Sequence, residues 1–325
     1  MRFDAVAEDD PGPQWARCQE AAWPAFLAWF LSQGDAARPD YLECRRAMRE
    51  HMPELVPVWQ RLVDVAGGGD QVARALSLWR PSPYLSGCSQ AVWQRGESFL
   101  VRNYDYHPKA FDGTVLRSRW NGTAVLGMLD CLWGLLDGCN EHGLAVALAF
   151  AGRRIVGRGF GIPLLLRYVL QCCTDVESAV ATLARVPSHM SYHVMLLDRA
   201  GRHGRVTVHP DRPATWSEDG AVTNHGESIE WAEHARATRS IERLRTLQHA
   251  LHDSGEDRDR FVRRFLRPPL FQVEYSRGHG TLYTAIYRPN DRSLELAWPD
   301  GSWRLPMDGF PVGSMTVTYP EESRA

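Results

Sequence analysis

The sequence has no uninterrupted apolar run approaching about 18 residues, so it offers no transmembrane helix. Its first residues, Met-Arg-Phe-Asp-Ala-Val-Ala-Glu-Asp-Asp, contain no apolar h-region and do not read as a secretory signal peptide. Charge of either sign is in little excess. The 37 Lys and Arg against 39 Asp and Glu leave a formal net charge of −2, which gives no electrostatic case for a nucleic-acid partner. Cysteine is sparse, with residues at 18, 44, 88, 131, 139, 172 and 173. That odd number without a CxxC pair indicates neither a zinc site nor a disulfide framework. Internal repeats and low-complexity segments are missing. The expectation is a soluble cytoplasmic protein with no metal, no cofactor and no membrane partner. What is present is 44% hydrophobic content, ample core for one large domain or two among 325 residues.

Residues 11 to 79 read as helices punctuated by Pro and Gly. Trp15, Cys18, Ala22, Phe26, Trp29 and Phe30 recur at helical spacing, and Tyr41 to Met52, Glu54 to Val65 and a short segment ending near Trp79 follow. Gly67-Gly68-Gly69-Asp70 lacks the GK[ST] ending of a phosphate loop and reads as a turn or helix cap. From Gly87 the pattern changes to strands. Thr114 to Arg117, Ala124 to Leu129, Leu132 to Leu136 and Leu144 to Phe150 follow a hairpin, with Asp137-Gly138 and residues 140 to 143 as turns. Ile162 to Cys173 and Val176 to Val186 are helical, the second opened by a capping box at Thr174-Asp175-Val176-Glu177. Strands at 193–197, 206–209 and 221–223, helices across 232–252 and 258–266, and strands at 282–287, 294–298 and 314–319 complete the chain. This order suits an α+β fold of two packed antiparallel sheets with a helical layer on each outside.

One stretch stands apart chemically. Tyr84-Leu85-Ser86-Gly87-Cys88-Ser89-Gln90 is separated from Phe99-Leu100-Val101-Arg102-Asn103-Tyr104-Asp105 by Gln94-Arg95-Gly96-Glu97. A two-residue Arg-Gly turn pairs positions summing to about 191 and sets Cys88 beside Arg102 and Asn103. A thiol next to a guanidinium and a carboxylate is a recipe for a low-pKa nucleophile. Most cysteines are inert buried thiols, as Cys172 and Cys173 in their apolar helical run are expected to be. Arg102 alone would pass for a strand-edge arginine and Asp105 for a turn starter. Together with Cys88 in pairing register, they favour catalysis.

Gly-Cys followed by Arg-Asn-Tyr-Asp resembles the N-terminal-nucleophile (Ntn) amidases and acyltransferases related to choloylglycine hydrolase, in particular the isopenicillin-N acyltransferase branch classed as C45 autoproteolytic peptidases. Cys-Asn-Glu-His-Gly-Leu at 139 to 144, Gly-Phe-Gly-Ile-Pro at 159 to 163, Thr-Asn-His at 223 to 225 and Gly-Thr-Leu-Tyr-Thr at 280 to 284 are similar to that family in the same order. The resemblance implies a four-layer αββα sandwich. It also implies that residues 1–87 are a helical propeptide, retained as a small subunit after self-cleavage between Gly87 and Cys88, with 88–325 as the catalytic domain. The freed Cys88 would then carry both nucleophile and base, since an α-amine titrates near 7.7 to 8.0. Arg102 would lower the thiol pKa, Asp105 would orient the amine, Asn224 would supply an oxyanion-hole N–H, and Arg243, in Ser240-Ile241-Glu242-Arg243, would hold the aspartate and nucleophile. His225 is expected to take a packing or surface role rather than to catalyse.

One departure concerns the second polar oxyanion contributor of bile-salt hydrolases, where this chain has Ala149. That argues against bile salts as substrates. The glycines at 157, 159 and 161 read as a hinge rather than a nucleotide loop. The 12 tryptophans and the Pro/Gly-rich 301 to 313 stretch suit a large apolar pocket, though core packing accounts for them equally. The leading expectation is a cysteine amidohydrolase or acyltransferase acting on a small linear acyl-amide through a thioester on Cys88, in a chain that could form a homo-oligomer. The competing expectations are a papain-like protease, which would need Cys88 on a helix, and an inert binding or scaffold protein on the same fold.

Overall fold

The computed structural model describes residues 1–85, 87–275 and 279–319. Strand β1 (Arg2–Glu8) comes first, followed by helices α1 (Pro13–Phe30), α2 (Tyr41–His51), α3 (Val56–Val65) and α4 (Asp70–Leu76). The hairpin β2 (Gly87–Trp93) and β3 (Phe99–Tyr106) leads into β4 (Thr114–Ser118), β5 (Val125–Asp130), β6 (Gly134–Asn140) and β7 (Ala145–Phe150). Helices α5 (Ile162–Cys172) and α6 (Val176–Arg185) precede β8 (Tyr192–Leu197), β9 (His203–Val208), β10 (Thr215–Ser217) and β11 (Ala221–Val222). Helices α7 (Ala232–Ala237), α8 (Ser240–His252) and α9 (Arg258–Phe265) come next. The chain then forms β12 (Val273–Glu274), β13 (His279–Arg288), β14 (Ser293–Trp298), β15 (Gly301–Pro306) and β16 (Gly313–Thr316).

The strands make two sheets among the described residues, one ordered β10-β9-β8-β7-β6-β5-β4-β1-β16 and the other β11-β2-β3-β13-β14-β15, with β12 beside β13. Their inner faces meet in the main apolar core. Helix α5 covers the outer face of the first sheet, while α8 and α9 cover the second through a separate cluster that includes Trp93, Phe99, Leu247 and Phe261. This is the αββα arrangement expected from the sequence.

Glycines let α5 lie close to the first sheet. A Cβ at Gly134 would fall 2.5 Å from the Cβ of Pro163, and one at Gly138 would fall 2.8 Å from Leu170. Asp137-Gly138, expected as a turn, is therefore interior strand: Gly138 meets the helix and Asp137 points between the sheets. The capping box of α6 also sits one residue further on, with Asp175 accepting from the Ser178 backbone N–H and Ser178 reciprocating.

Other differences are local. The helix expected across 232–252 breaks at Arg239, whose φ of 50° is left-handed. Part of the 301–313 stretch is strand β15, paired along β14. Residues 2–8, for which the sequence suggested no element, run parallel to β4 and antiparallel to β16 inside the larger sheet. No helix of the described residues is long and apolar enough to cross a membrane.

Gly134→Ala is expected to destabilise the protein by about 1 to 3 kcal/mol in urea unfolding, because Pro163 backbone atoms as well as its ring stand in the way. Gly301→Ala, with nothing within 4 Å of the new Cβ, should change stability by less than about 0.5 kcal/mol.

Candidate active site

Strand pairing in the β2–β3 hairpin sets the site. Cys88 lies opposite Tyr104, and Gln90 lies opposite Arg102. The sum is 192 rather than the expected 191, and the single step matters because a one-residue slip exchanges the two faces of a strand. In the observed register Cys88, Gln90, Arg102 and Tyr104 share the inner face, whereas Gly87, Ser89, Asn103 and Asp105 share the outer one. Asn103 is thereby taken away from the thiol. Its amide donates to the carbonyls of Phe265 and Leu270 at 2.8 and 3.0 Å, anchoring the end of α9.

On the inner face, Arg102 Nη2 donates to Cys88 Sγ at 2.9 Å. Its Nη1 donates to Asp137 Oδ2 at 2.6 Å and to the Leu136 carbonyl at 2.8 Å on the facing sheet. Tyr283 and Tyr287 complete the shell of Asp137, with their hydroxyls at 2.6 and 2.5 Å from its two oxygens. Arg102, Asp137 and Cys88 are all fully buried. Burial works against charge on Arg102, but Cys88, Tyr283 and Asp137 outweigh it and hold the guanidinium pKa well above its usual value.

On the outer face, Arg243 of α8 donates to Asp105 Oδ2 at 3.1 Å and to Ser89 Oγ at 2.7 Å. Thr281 donates to the other Asp105 oxygen at 2.7 Å. Burial pushes the Asp105 carboxyl above its usual range against the pull of Arg243 and Thr281. Gly87 is needed beside it, since a Cβ there would meet the Asp105 Cβ at 3.0 Å.

The two halves join at Asn224, two residues beyond β11, whose Val222 pairs with Gln90. Asn224 Oδ1 accepts from the Cys88 backbone N–H at 2.8 Å and from Arg243 Nη2 at 2.8 Å. Its Nδ2 donates to the Phe150 carbonyl at 3.2 Å, and its backbone N–H donates to Ser240 Oγ at 2.8 Å. The residue expected to donate to an oxyanion thus offers its acceptor to the Cys88 nitrogen. His225 is tied to Ser240, with its pKa lowered by burial.

The structure brings Cys88, Arg102, Asp105, Asn224 and Arg243 together. Sequence reasoning did not find Asp137, because Asp-Gly reads as a turn. Thr281 and Tyr283 lie in the 280–284 stretch that carried the resemblance, but nothing there signalled that they bind the two carboxylates. Gln90 was also missed. It is fully buried on the Cys88 face, and its carboxamide has neither atom hydrogen-bonded. Among the described residues, no group of three His, Cys, Asp or Glu side chains is placed to hold a metal.

Residues 81–85, which form neither helix nor strand, make a strap that leads up to the site. The Tyr84 hydroxyl lies 2.5 Å from that of Tyr104, and Tyr192 donates to the Tyr84 carbonyl at 2.6 Å. Burial, with Asp112 nearby, pushes the neighbouring Asp130 carboxyl up to about 7. None of the seven cysteines is in a disulfide bond.

A sequence model of the acyl-coenzyme A:6-aminopenicillanic acid acyl-transferase family matches residues 93–303, starting five residues after Cys88. Penicillin V acylase from Agrobacterium tumefaciens has a similar fold, with a TM-score of 0.50 at 14% identity over 68% of this chain and 87% of that one. A mutant of conjugated bile acid hydrolase from Clostridium perfringens aligns with a TM-score of 0.47 at 15% identity, over 71% of this chain and 97% of that one. No curated protein sequence matches.

Two outcomes are expected here. Asp137→Asn leaves Arg102 uncompensated in a dry core and should cost about 3 to 5 kcal/mol in chemical denaturation. The stability that Asp130 contributes is full below its unfolded pKa near 4 and is lost as pH rises through about 7. Wild type should therefore lose on the order of 2 to 4 kcal/mol relative to Asp130→Asn between about pH 4 and pH 8.

Proposed function

That the chain belongs to the acyl-coenzyme A:6-aminopenicillanic acid acyltransferase family, whose pattern it carries over well more than half its length, is the premise from which we propose a self-processing cysteine amidohydrolase or acyltransferase. The family and its structural neighbours are enzymes that break or exchange amide bonds. The observation that carries the finer reading is the pair of contacts at Cys88: guanidinium against sulfur at 2.9 Å and Asn224 oxygen against nitrogen at 2.8 Å.

In the proposed processing step the Cys88 sulfur attacks the Gly87 carbonyl. Collapse of the tetrahedral adduct breaks the Gly87–Cys88 C–N bond and forms a thioester between Gly87 and Sγ, while the Cys88 nitrogen takes a proton and leaves as an amine. Water then hydrolyses the thioester, giving a Gly87 carboxylate and a free thiol. Residues 1–87 stay in place as a small subunit, held in part by β1 within the larger sheet. Cutting the strap behind Tyr84 opens a path to a sulfur that is otherwise fully buried.

In turnover the thiolate, stabilised by Arg102, attacks the carbonyl of a small linear acyl-amide. The α-amine, anchored by Asn224 Oδ1, returns the proton to the leaving nitrogen. Asp105 acts through Arg243 to hold Asn224. The developing oxyanion is met by Asn224 Nδ2 and by the carboxamide of Gln90, which takes the place of the amide missing at Ala149. Water or an acceptor amine releases the acyl group. Cys88 is the second residue of strand β2 and not on a helix, which favours this scheme over a papain-like one. We place the enzyme in the cytoplasm, where its cysteines stay reduced.

Intact-mass measurement of purified protein is expected to give a fragment beginning at Cys88, and Cys88→Ala is expected to give the whole chain and no turnover of an acyl-amide panel. A whole wild-type chain with a thiol inert to that panel would leave the scaffold reading standing instead. Gln90→Leu should process and fold but lose about 10² in kcat. Substituting each histidine in turn should leave kcat within about tenfold, whereas a papain-like enzyme would lose its base.

A further inference from the structure

At the foot of the strap lies a cavity of about 380 Å³, lined by Arg38, Arg80 and Pro81 from the N-terminal region and by Gly157, Arg158 and His189 from the other side. Its walls are locked together by backbone contacts. Arg80 N–H donates to the Gly159 carbonyl at 2.9 Å, and the Gly161 N–H donates to the Leu78 carbonyl at 2.8 Å.

The charges around the cavity do not balance. Arg80 and Arg158 share one carboxylate, Glu43, at 3.3 and 2.8 Å. Arg38 has no carboxylate partner among the described residues. Its terminal nitrogens donate to the Arg80 carbonyl and to Gln33 Oε1, both neutral acceptors, and its buried Nε has no partner at all. Only 9% of Arg38 is exposed, so water compensates little of this charge.

His189 supplies the opposite need. It is 4% exposed, its Nδ1 bonds the Gly157 carbonyl at 3.0 Å, and its buried Nε2 has no partner. A ring nitrogen facing a carbonyl carries the proton, which leaves Nε2 as a lone-pair acceptor while the ring is neutral. Burial, with Arg38 and Arg80 nearby, keeps it neutral, at a pKa of about 4.

The cavity therefore asks for an oxyanion with one ionised oxygen for guanidinium and one hydroxyl hydrogen for Nε2. We infer that it binds hydrogen phosphate, P–O⁻ against Arg38 and Arg80 and P–OH against His189. A carboxylate or sulfate offers no proton at neutral pH, and a phosphomonoester has lost its own above about pH 6. Because the cavity joins both sides of the strap's base, the bound ion holds that base to the body of the protein.

The test is isothermal titration of the full chain at about pH 7.5, where a monoester is dianionic, with inorganic phosphate, sulfate and glycerol phosphate. Phosphate is expected to bind once per chain and at least about tenfold more tightly than the other two, a difference of about 1.4 kcal/mol. Arg38→Gln should weaken phosphate and sulfate alike. His189→Phe should leave sulfate unchanged and abolish the preference for phosphate. Absence of saturable phosphate binding, sulfate equal to phosphate on wild type, or a preference that survives in His189→Phe would each overturn the assignment. Should Arg38→Gln fail to fold, the wild-type comparison and His189→Phe still decide it. None of these readings requires Cys88 to be reactive.

Discussion

A single guanidinium, that of Arg102, is shared between a sulfur on its own sheet and a carboxylate on the facing one. Such a buried ion pair is a poor source of net stability, since removing both charges from water costs about what their attraction returns. The surroundings show how the cost is met. Asp137 receives two tyrosine hydroxyls, and Arg102 gives a further hydrogen to the Leu136 carbonyl and lies 4.8 Å above the Tyr104 ring. Four elements, β2, β3, β6 and β13, are committed to one hydrogen-bonded arrangement whose energetic return over an apolar core is small. What it secures is position: the sulfur has one place to be, with a cation fixed against it.

A second ion pair, Arg243 with Asp105, repeats this logic on the other face of the same sheet. Between the two lies Cys88, with its sulfur aimed inward and its nitrogen in the plane of the sheet against Asn224. A strand is suited to this task because alternate residues point to opposite faces. Arg102 and Asp105, three apart, necessarily serve different sides, and the residue opposite Tyr104 can be held from both. A helix would have put residues three apart on one side.

Much of this could be read in the chain before folding. The Gly-Cys hairpin, the two apolar helices and the order of strands followed from periodicity and turn residues, and the layers followed from them. What escaped had physical reasons. The hairpin sum of 191 assumed a tight turn, and the true 192 shows only in which residues end up facing α9. Asp137-Gly138 carries the composition of a turn; its glycine is instead the gap into which Leu170 fits, a fact that needs α5 in place. β1 is stabilised by neighbours distant in sequence, since it borders β4 and β16, more than a hundred and three hundred residues away, whereas β15 pairs locally with β14 and was hidden by its Pro/Gly composition. Gln90 has no local signature, because an amide is notable there only when nothing satisfies it.

The charge count of the site bears on why cleavage and catalysis would belong together. With the chain intact, the formal charges of Arg102 and Arg243 balance those of Asp137 and Asp105, so that a thiol rather than a thiolate keeps the count at zero. Ionising that thiol alone would leave one uncompensated negative charge where no water reaches, which a low-dielectric interior resists strongly. An α-amine created at the same residue changes the balance. Moving the thiol proton to that nitrogen yields thiolate and ammonium on one amino acid, the sulfur against Arg102 and the nitrogen against the Asn224 oxygen, with the total charge unchanged. An amine whose reference pKa of about 7.7 to 8.0 lies close to that of the thiol makes the transfer nearly isoenergetic in water. The guanidinium already in place tips it toward the ion pair. On the proposed function the Gly87–Cys88 bond would hold the nucleophile in its neutral form, with Arg102 and Asn224 already placed against the sulfur and the nitrogen of the charged form.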